Sequence, residues 1–203
     1  MIEKSIETAI KALVNQDVDL ARHAIEADEE IDRQERIIED LCLKLLLQQQ
    51  PVAKDLRLIS SALKMITDME RIGDQATDIA EILNTGSVHI PVTAIPLQEM
   101  ADYAMHMVND SVTAYVEGKS DLAKKVISSD DILDNLFDKV RNALDQNTMD
   151  FSSDEVLDLL MISKYYERIG DHATNIGEWA EFSVDGIHRN GDSISDLFNP
   201  DSL

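Results

Sequence analysis

A ten-residue segment occurs twice in this chain of 203 residues. Glu70-Arg71-Ile72-Gly73-Asp74-Gln75-Ala76-Thr77-Asp78-Ile79 returns 97 residues later as Glu167-Arg168-Ile169-Gly170-Asp171-His172-Ala173-Thr174-Asn175-Ile176, with eight of ten positions identical. A long self-match at fixed spacing marks an internal repeat, and it restricts the chain to folds built twice from one unit. The unit is helical by pattern. Leu63, Ile66, Met69, Ile72, Ala76, Ile79 and Leu83 keep a spacing of three or four, which is one buried helix face.

The same helix carries acids in register. Glu70, Asp74 and Asp78 are spaced by four and Glu81 follows by three, so the four fall within roughly an 80° arc. Glu167, Asp171, Asn175 and Glu178 repeat the stripe. The helix before it has its own, Asp28, Asp32, Glu35 and Glu39. At an offset of 102 Asp130 and Asp134 overlie Asp28 and Asp32. Like charges four apart destabilise a helix by a few tenths of a kcal/mol per pair. Two readings stand: a solvated acidic face, or a set of ligands whose repulsion a cation offsets. The duplication favours the cation. Oxygen-only donors suit Mg²⁺, Ca²⁺ and Mn²⁺ and can hold iron. The lack of His and Cys in the stripes argues against a structural zinc site, though not against carboxylate-bound zinc. His172 follows Asp171 directly, points about 100° away from it, and reads as a surface or packing residue.

Six helices follow from the pattern, three per repeat. They run over about 2–15, 19–48, 52–84, 97–117, a second-repeat counterpart of 19–48, and a last helix to about 183. The inward set of 19–48 is Leu20, Ala24, Ala27, Ile31, Ile38, Leu41, Leu45 and Leu46. Asp17 or Asp19 is the expected N-cap. Pro51 pushes Gln50 out of helical angles and suits the first turn of the next helix, and Gly86 suits its end. The chain divides into a first repeat over 1–86, an apolar linker over 87–97 expected to dock on the bundles, a second repeat over 98–184 and a polar tail over 185–203. The offset falls from 102 to 97, so the first copy has five more residues near Gln48 to Asp55. Gly73 and Gly170 each cost a helix about 1 kcal/mol relative to Ala. Their repetition points to close approach of a neighbouring helix or a partner.

A hydrophobic fraction of 44% argues against disorder, and few aromatics, Gly and Pro fit helices cored by aliphatic residues. The formal charge of −22 disfavours nucleic acid and anionic membranes and favours cations or a basic protein partner. Cys42 is the only cysteine. It allows no intrachain disulfide, fits a reducing compartment and reads as a small buried hydrophobe. The start, Met1-Ile2-Glu3-Lys4, lacks the apolar core of a secretory signal. No stretch is apolar enough over 18 residues to suggest a transmembrane span.

The chain resembles the PhoU family, the accessory regulators of phosphate-specific transport. The resemblance rests on Gln49-Gln50-Pro51-Val52-Ala53-x-Asp55-Leu56-Arg57, both Glu-Arg-Ile-Gly-Asp motifs with their Ala-x-Asp/Asn-Ile continuations, and both upstream Asp-x-x-x-Asp motifs. It reaches to about Phe182 and implies an all-α fold of two tandem three-helix bundles. It also implies polynuclear metal sites on the bundles. The ligands expected are Asp28, Asp32, Glu70, Asp74 and Asp78 in the first, and Asp130, Asp134, Glu167, Asp171 and Asn175 in the second. The ion would be divalent or trivalent: Fe, Mn, Mg or Zn. Family members repress the phosphate-starvation response at the cytoplasmic face of the importer, through its ATP-binding subunit and a sensor histidine kinase. A cytoplasmic homodimer, peripheral to the membrane through the transporter, is therefore expected. Arg57, Arg71 and Arg168 are candidate partner contacts; Arg71 and Arg168 also suit pairing with Asp74 and Asp171. Two departures are visible: the first helix begins late, and Asn175 replaces an acid.

Two other classes remain. A carboxylate-bridged di-iron enzyme would use Glu-x-x-His motifs, but three residues after Glu70 and Glu167 stand Gly73 and Gly170. An inert scaffold would leave the acids solvated. No nucleophile-base pair or phosphate-cradling glycine loop is present, so no catalysis is expected.

Overall fold

A computed structural model describes residues 2–15, 17–85, 95–146 and 150–186. Most of the linker, Gly86 and the tail beyond 186 lie outside the described residues, as do 147–149 of the connection before the last helix. The described residues are helical, with no strand. The first repeat holds α1 (Ile2–Asn15), α2 (Val18–Glu26), α3 (Asp28–Gln49) and α4 (Lys54–Asn84). The second holds α5 (Leu97–Glu117), α6 (Ser120–Ile127), α7 (Asp130–Gln146) and α8 (Ser153–Asp185). The expected six helices are recovered as two tandem three-helix units, with the second helix of each unit broken. The first break is at Ala27, whose φ of −72° and ψ of −18° keep the chain turning without reversing it. Its N–H is shared between His23 and Ala24 carbonyls at 3.2 and 3.3 Å. Tightening of this kind is common at helix ends. The breaks make Asp28 and Asp130 the first residues of α3 and α7.

The ends of the helices follow local chemistry. Asp17 caps α2, accepting from Asp19 and Leu20 N–H at 3.0 and 3.1 Å. Gln50 before Pro51 leaves right-handed helical angles, as expected, but by a left-handed conformation (φ 47°) rather than an extended one. Pro51 is not in the first turn of α4, which starts three residues later. Gly118 and Gly186 end α5 and α8 with φ of 64° and 74°. Ser152 and Glu155 form a capping box at the start of α8. The five inserted residues lengthen α3 to 22 residues against 17 for α7.

The third helices, α4 and α8, pack on each other, and the remaining helices gather around them. Ile72, Ile79, Ile169 and Ile176 are fully buried in one core shared by both repeats. Within each repeat the third helix meets the second through its glycine. A Cβ on Gly170 would stand 2.2 Å from Leu133 Cδ2, and one on Gly73 would stand 3.0 Å from Ile31 Cδ1. The repeated glycines therefore serve close approach of a neighbouring helix.

The outer half of α3 departs from expectation. Ile38 and Leu41, read as inward, are exposed at 36% and 54%. At the equivalent of Ile38 in the second repeat, Val140 is fully buried. The first helices of the two units also differ over the described residues, with 21 residues in α5 and 14 in α1. The first turns of α5 bury Leu97, Met100 and Ala101. A groove of about 620 Å³ lies between α3, α4 and α5, walled by Ile31, Ile38, Ile66, Met69, Glu35 and Glu70 among others.

The two glycine contacts differ in tightness, which fixes an outcome. Alanine gains about 1 kcal/mol of helix propensity at either site. Overpacking against Leu133 costs about 1–3 kcal/mol. Gly170→Ala should therefore lose stability in urea unfolding, and Gly73→Ala should lie closer to wild type. Gly170→Ala matching wild type would refute the tight contact.

Candidate metal clusters

Each close approach brings two acidic stripes to one level. Ile31 lies between Asp28 and Asp32 on α3, and Gly73 lies between Glu70 and Asp74 on α4. Where these two residues touch, the acids beside them face across the helix pair. Asp28, Asp32, Glu70, Asp74 and Asp78 are all half-buried. Burial, then repulsion from its neighbours, raises the pKa of several acids. Asp28 is raised by burial and by Asp74, Asp32 and Glu81, against a hydrogen bond from Thr77 that lowers it. Glu70 is raised by burial and by Asp74, with Glu35 and Asp32 adding and Arg71 opposing. Asp78 is raised by burial and by Glu81, Asp74 and Asp28, against Arg168.

The second repeat sets Asp130 and Asp134 on α7 against Glu167 and Asp171 on α8, with Asp130 and Glu167 half-buried but Asp134 and Asp171 exposed. Asp134 is raised by burial and then by Asp130 and Asp131. Asp171 is pushed up to about 6, by desolvation first and then by Glu167 and Asp130, although part of its surface meets water. Lys164 sits beside this cluster, paired with Glu167 and 5.4 Å above the Phe137 ring.

Asn175 lies elsewhere. Its amide donates to Asp68 Oδ1 of α4 at 3.1 Å, and His172 Nδ1 meets the same oxygen at 2.9 Å. This knot joins the two repeats and explains why the residue matching Asp78 is neutral: a carboxylate at 175 would oppose Asp68. His172 is thus a packing residue, and sequence spacing held no sign of its partner.

The donor chemistry fits a hard cation. Each cluster offers carboxylate oxygens, partly desolvated and mutually repelling, with no thiolate or imidazole among the stripe residues. As the side chains stand, no group of three or more His, Cys, Asp or Glu among the described residues could hold an ion. The helices bring the acids of each repeat near one another.

The arginines divide. Arg71 pairs with Glu70 at 3.5 Å and Asp74 at 3.8 Å. Arg168 acts on Asp78 and Tyr165 of the interface between repeats. Arg57 lies against Gly186 at the end of α8, 3.4 Å from where its Cβ would be, where a cation complements the helix dipole.

Comparison with known proteins gives this arrangement a family. The PhoU domain is matched twice, over residues 1–83 and 97–180. The chain belongs to the PhoU family. The phosphate-specific transport system accessory protein PhoU homolog of Clostridium acetobutylicum is 37% identical over 192 residues, covering 92% of this chain and 87% of that protein. The accessory protein PhoU of Escherichia coli K12 is 31% identical, covering 97% and 84%. The crystal structure of PhoU from Pseudomonas aeruginosa superposes with a TM-score of 0.83 at 32% identity, over 91% of this chain and 90% of that one. As in the chain itself, the PhoU match leaves the segment between the repeats uncovered. No helix among the described residues is long and apolar enough to cross a membrane.

Asp171 sets a pH dependence for the metal-free protein. Its ordinary value is 3.8 and its folded value about 6. Between these the folded state holds a proton that the unfolded chain has lost, so stability falls as pH rises through the window. The metal-free melting midpoint should be higher near pH 5 than near pH 7.5, and Asp171→Asn should raise the midpoint at pH 7.5. Equal midpoints for wild type and Asp171→Asn at pH 7.5 would show that the carboxylate is not under strain.

Proposed function

We propose that this PhoU-family chain is a metal-binding regulator of phosphate uptake and of phosphate-starvation signalling. It acts as a negative regulator when phosphate is plentiful, through the ATP-binding subunit of the phosphate transporter and a sensor histidine kinase. It works without catalysis, in the cytoplasm, as a homodimer. Membership of the PhoU family and the accessory role named for its relatives support the phosphate reading. The single observation that carries the metal reading is the duplicated placement of carboxylates across α3–α4 and α7–α8. Asp28, Asp32, Glu70, Asp74 and Asp78 would hold ions in the first cluster. Asp130, Asp134, Glu167 and Asp171 would hold them in the second, with Asn175 held to Asp68. Bound Fe, Mn, Mg or Zn would supply positive charge that cancels the repulsion among these acids. Ordering of α3 against α4 by such charge is a means of presenting a fixed surface to a protein partner.

A ligand that binds only the folded state stabilises it by about 2.7 kcal/mol at a hundred times its Kd. Added Mn²⁺ should raise the melting midpoint and a chelator should reverse the gain. Elemental analysis should show Asp74→Ala losing about one cluster's share of the bound metal. The same variant, expressed in cells lacking their own PhoU, should repress a phosphate-starvation reporter less than wild type. Unchanged metal content would sink the metal assignment; a reporter that wild type fails to repress would sink the regulatory one.

A further inference from the structure

Hydroxyls inside helices ordinarily bond to a carbonyl one turn back in their own helix. Thr8, Ser111, Ser163 and Ser183 do so, donating to Lys4, Val108, Leu160 and Ala180 carbonyls at 2.7 to 2.8 Å. Thr77 and Thr174 do not follow them. Thr77 Oγ1 donates across to Asp28 Oδ1 at 3.2 Å, and Thr174 Oγ1 donates across to Asp130 Oδ1 at 3.3 Å. Both threonines are buried, with 9% and 6% of their surface exposed. The bond is thus made twice, by equivalent residues, although the two repeats differ by five residues in the segment between donor and acceptor.

The acceptor in each case is the first acid of its stripe and the first residue of its helix. A carboxylate at that place can swing freely unless something holds it. Outer partners that hold a ligand carboxylate fix its orientation and its charge, and their loss weakens metal binding by about 10–100-fold. We propose that Thr77 and Thr174 are positioning residues for the two metal clusters. Each fixes one oxygen of Asp28 or Asp130 and leaves the second oxygen as the donor to the ion. The inference rests on the metal reading above and adds what those clusters need outside their own acids. The partner is a hydroxyl rather than a cation, so the full negative charge of the acid is kept for the metal.

The test is calorimetric titration of the full chain with Mn²⁺ in two backgrounds. Asp171→Ala isolates the first cluster and Asp74→Ala isolates the second. In the first background Thr77→Val should weaken Mn²⁺ binding by about 10-fold or more, and Thr77→Ser, which keeps the hydroxyl, should restore it. In the second, Thr174→Val should weaken binding while Thr77→Val leaves it unchanged. Circular dichroism of each metal-free variant separates loss of fold from loss of affinity, and Thr174→Val with Thr174→Ser serves if Thr77→Val does not fold. Wild-type affinity in the valine variants, or equal losses in valine and serine variants, would overturn the positioning role. Failure of both parent backgrounds to bind Mn²⁺ would overturn the metal reading and this inference with it.

Discussion

The contact between a glycine on the third helix of each repeat and an aliphatic residue on the second sets the rest of the structure. At Gly170 the neighbour, Leu133, comes so near that a single methyl group would have to displace it. Gly73 and Ile31 make the same contact with slightly more room. A helix of this length gives up propensity to keep such a glycine. What it gains is interaxial distance, and the acids flanking the contact on both helices are carried with the backbone. With larger side chains there, the helices would stand further apart and the carboxylates would face water separately.

Close approach has an electrostatic consequence that packing alone would not select. Acids on both helices are driven toward their neutral forms by desolvation and by one another, most strongly Asp171. A fold under selection for stability alone would have replaced some of these acids. Asn175 stands where the first repeat has an acid, and with His172 it meets Asp68 between the repeats. Between α4 and α8 the acid Asp68 meets an amide and an imidazole, and Asp78 meets Arg168.

The repeat, the helical period and the resemblance made the all-α tandem architecture legible before any coordinates. That the two acidic stripes of each repeat could meet at one level was legible in their matching spacing; which acids stand opposite one another was not. The breaks at Ala27 and Ser128 were not, because their angles stay near helical values and no proline or glycine marks them. The exposure of Ile38 and Leu41 was also hidden, since both keep the helical spacing of the buried residues before them. The bond from Asn175 to Asp68 was not legible either: spacing names the neighbours of Asn175 on α8, while Asp68 sits 107 residues away. The threonine bonds to Asp28 and Asp130 escaped notice for the same reason, since a threonine in a helix carries no mark of which way its hydroxyl turns.

Regulation by metal as proposed needs ions between the second and third helices of each repeat. Anomalous diffraction from crystals grown with Mn²⁺ tests that directly. Two groups of peaks are predicted, one about 2.2 Å from oxygens of Asp28 and Asp74, the other at that distance from Asp130 and Asp171. Crystals that grow in excess Mn²⁺ and show no peak at either cluster, or peaks only at isolated surface acids, would contradict it.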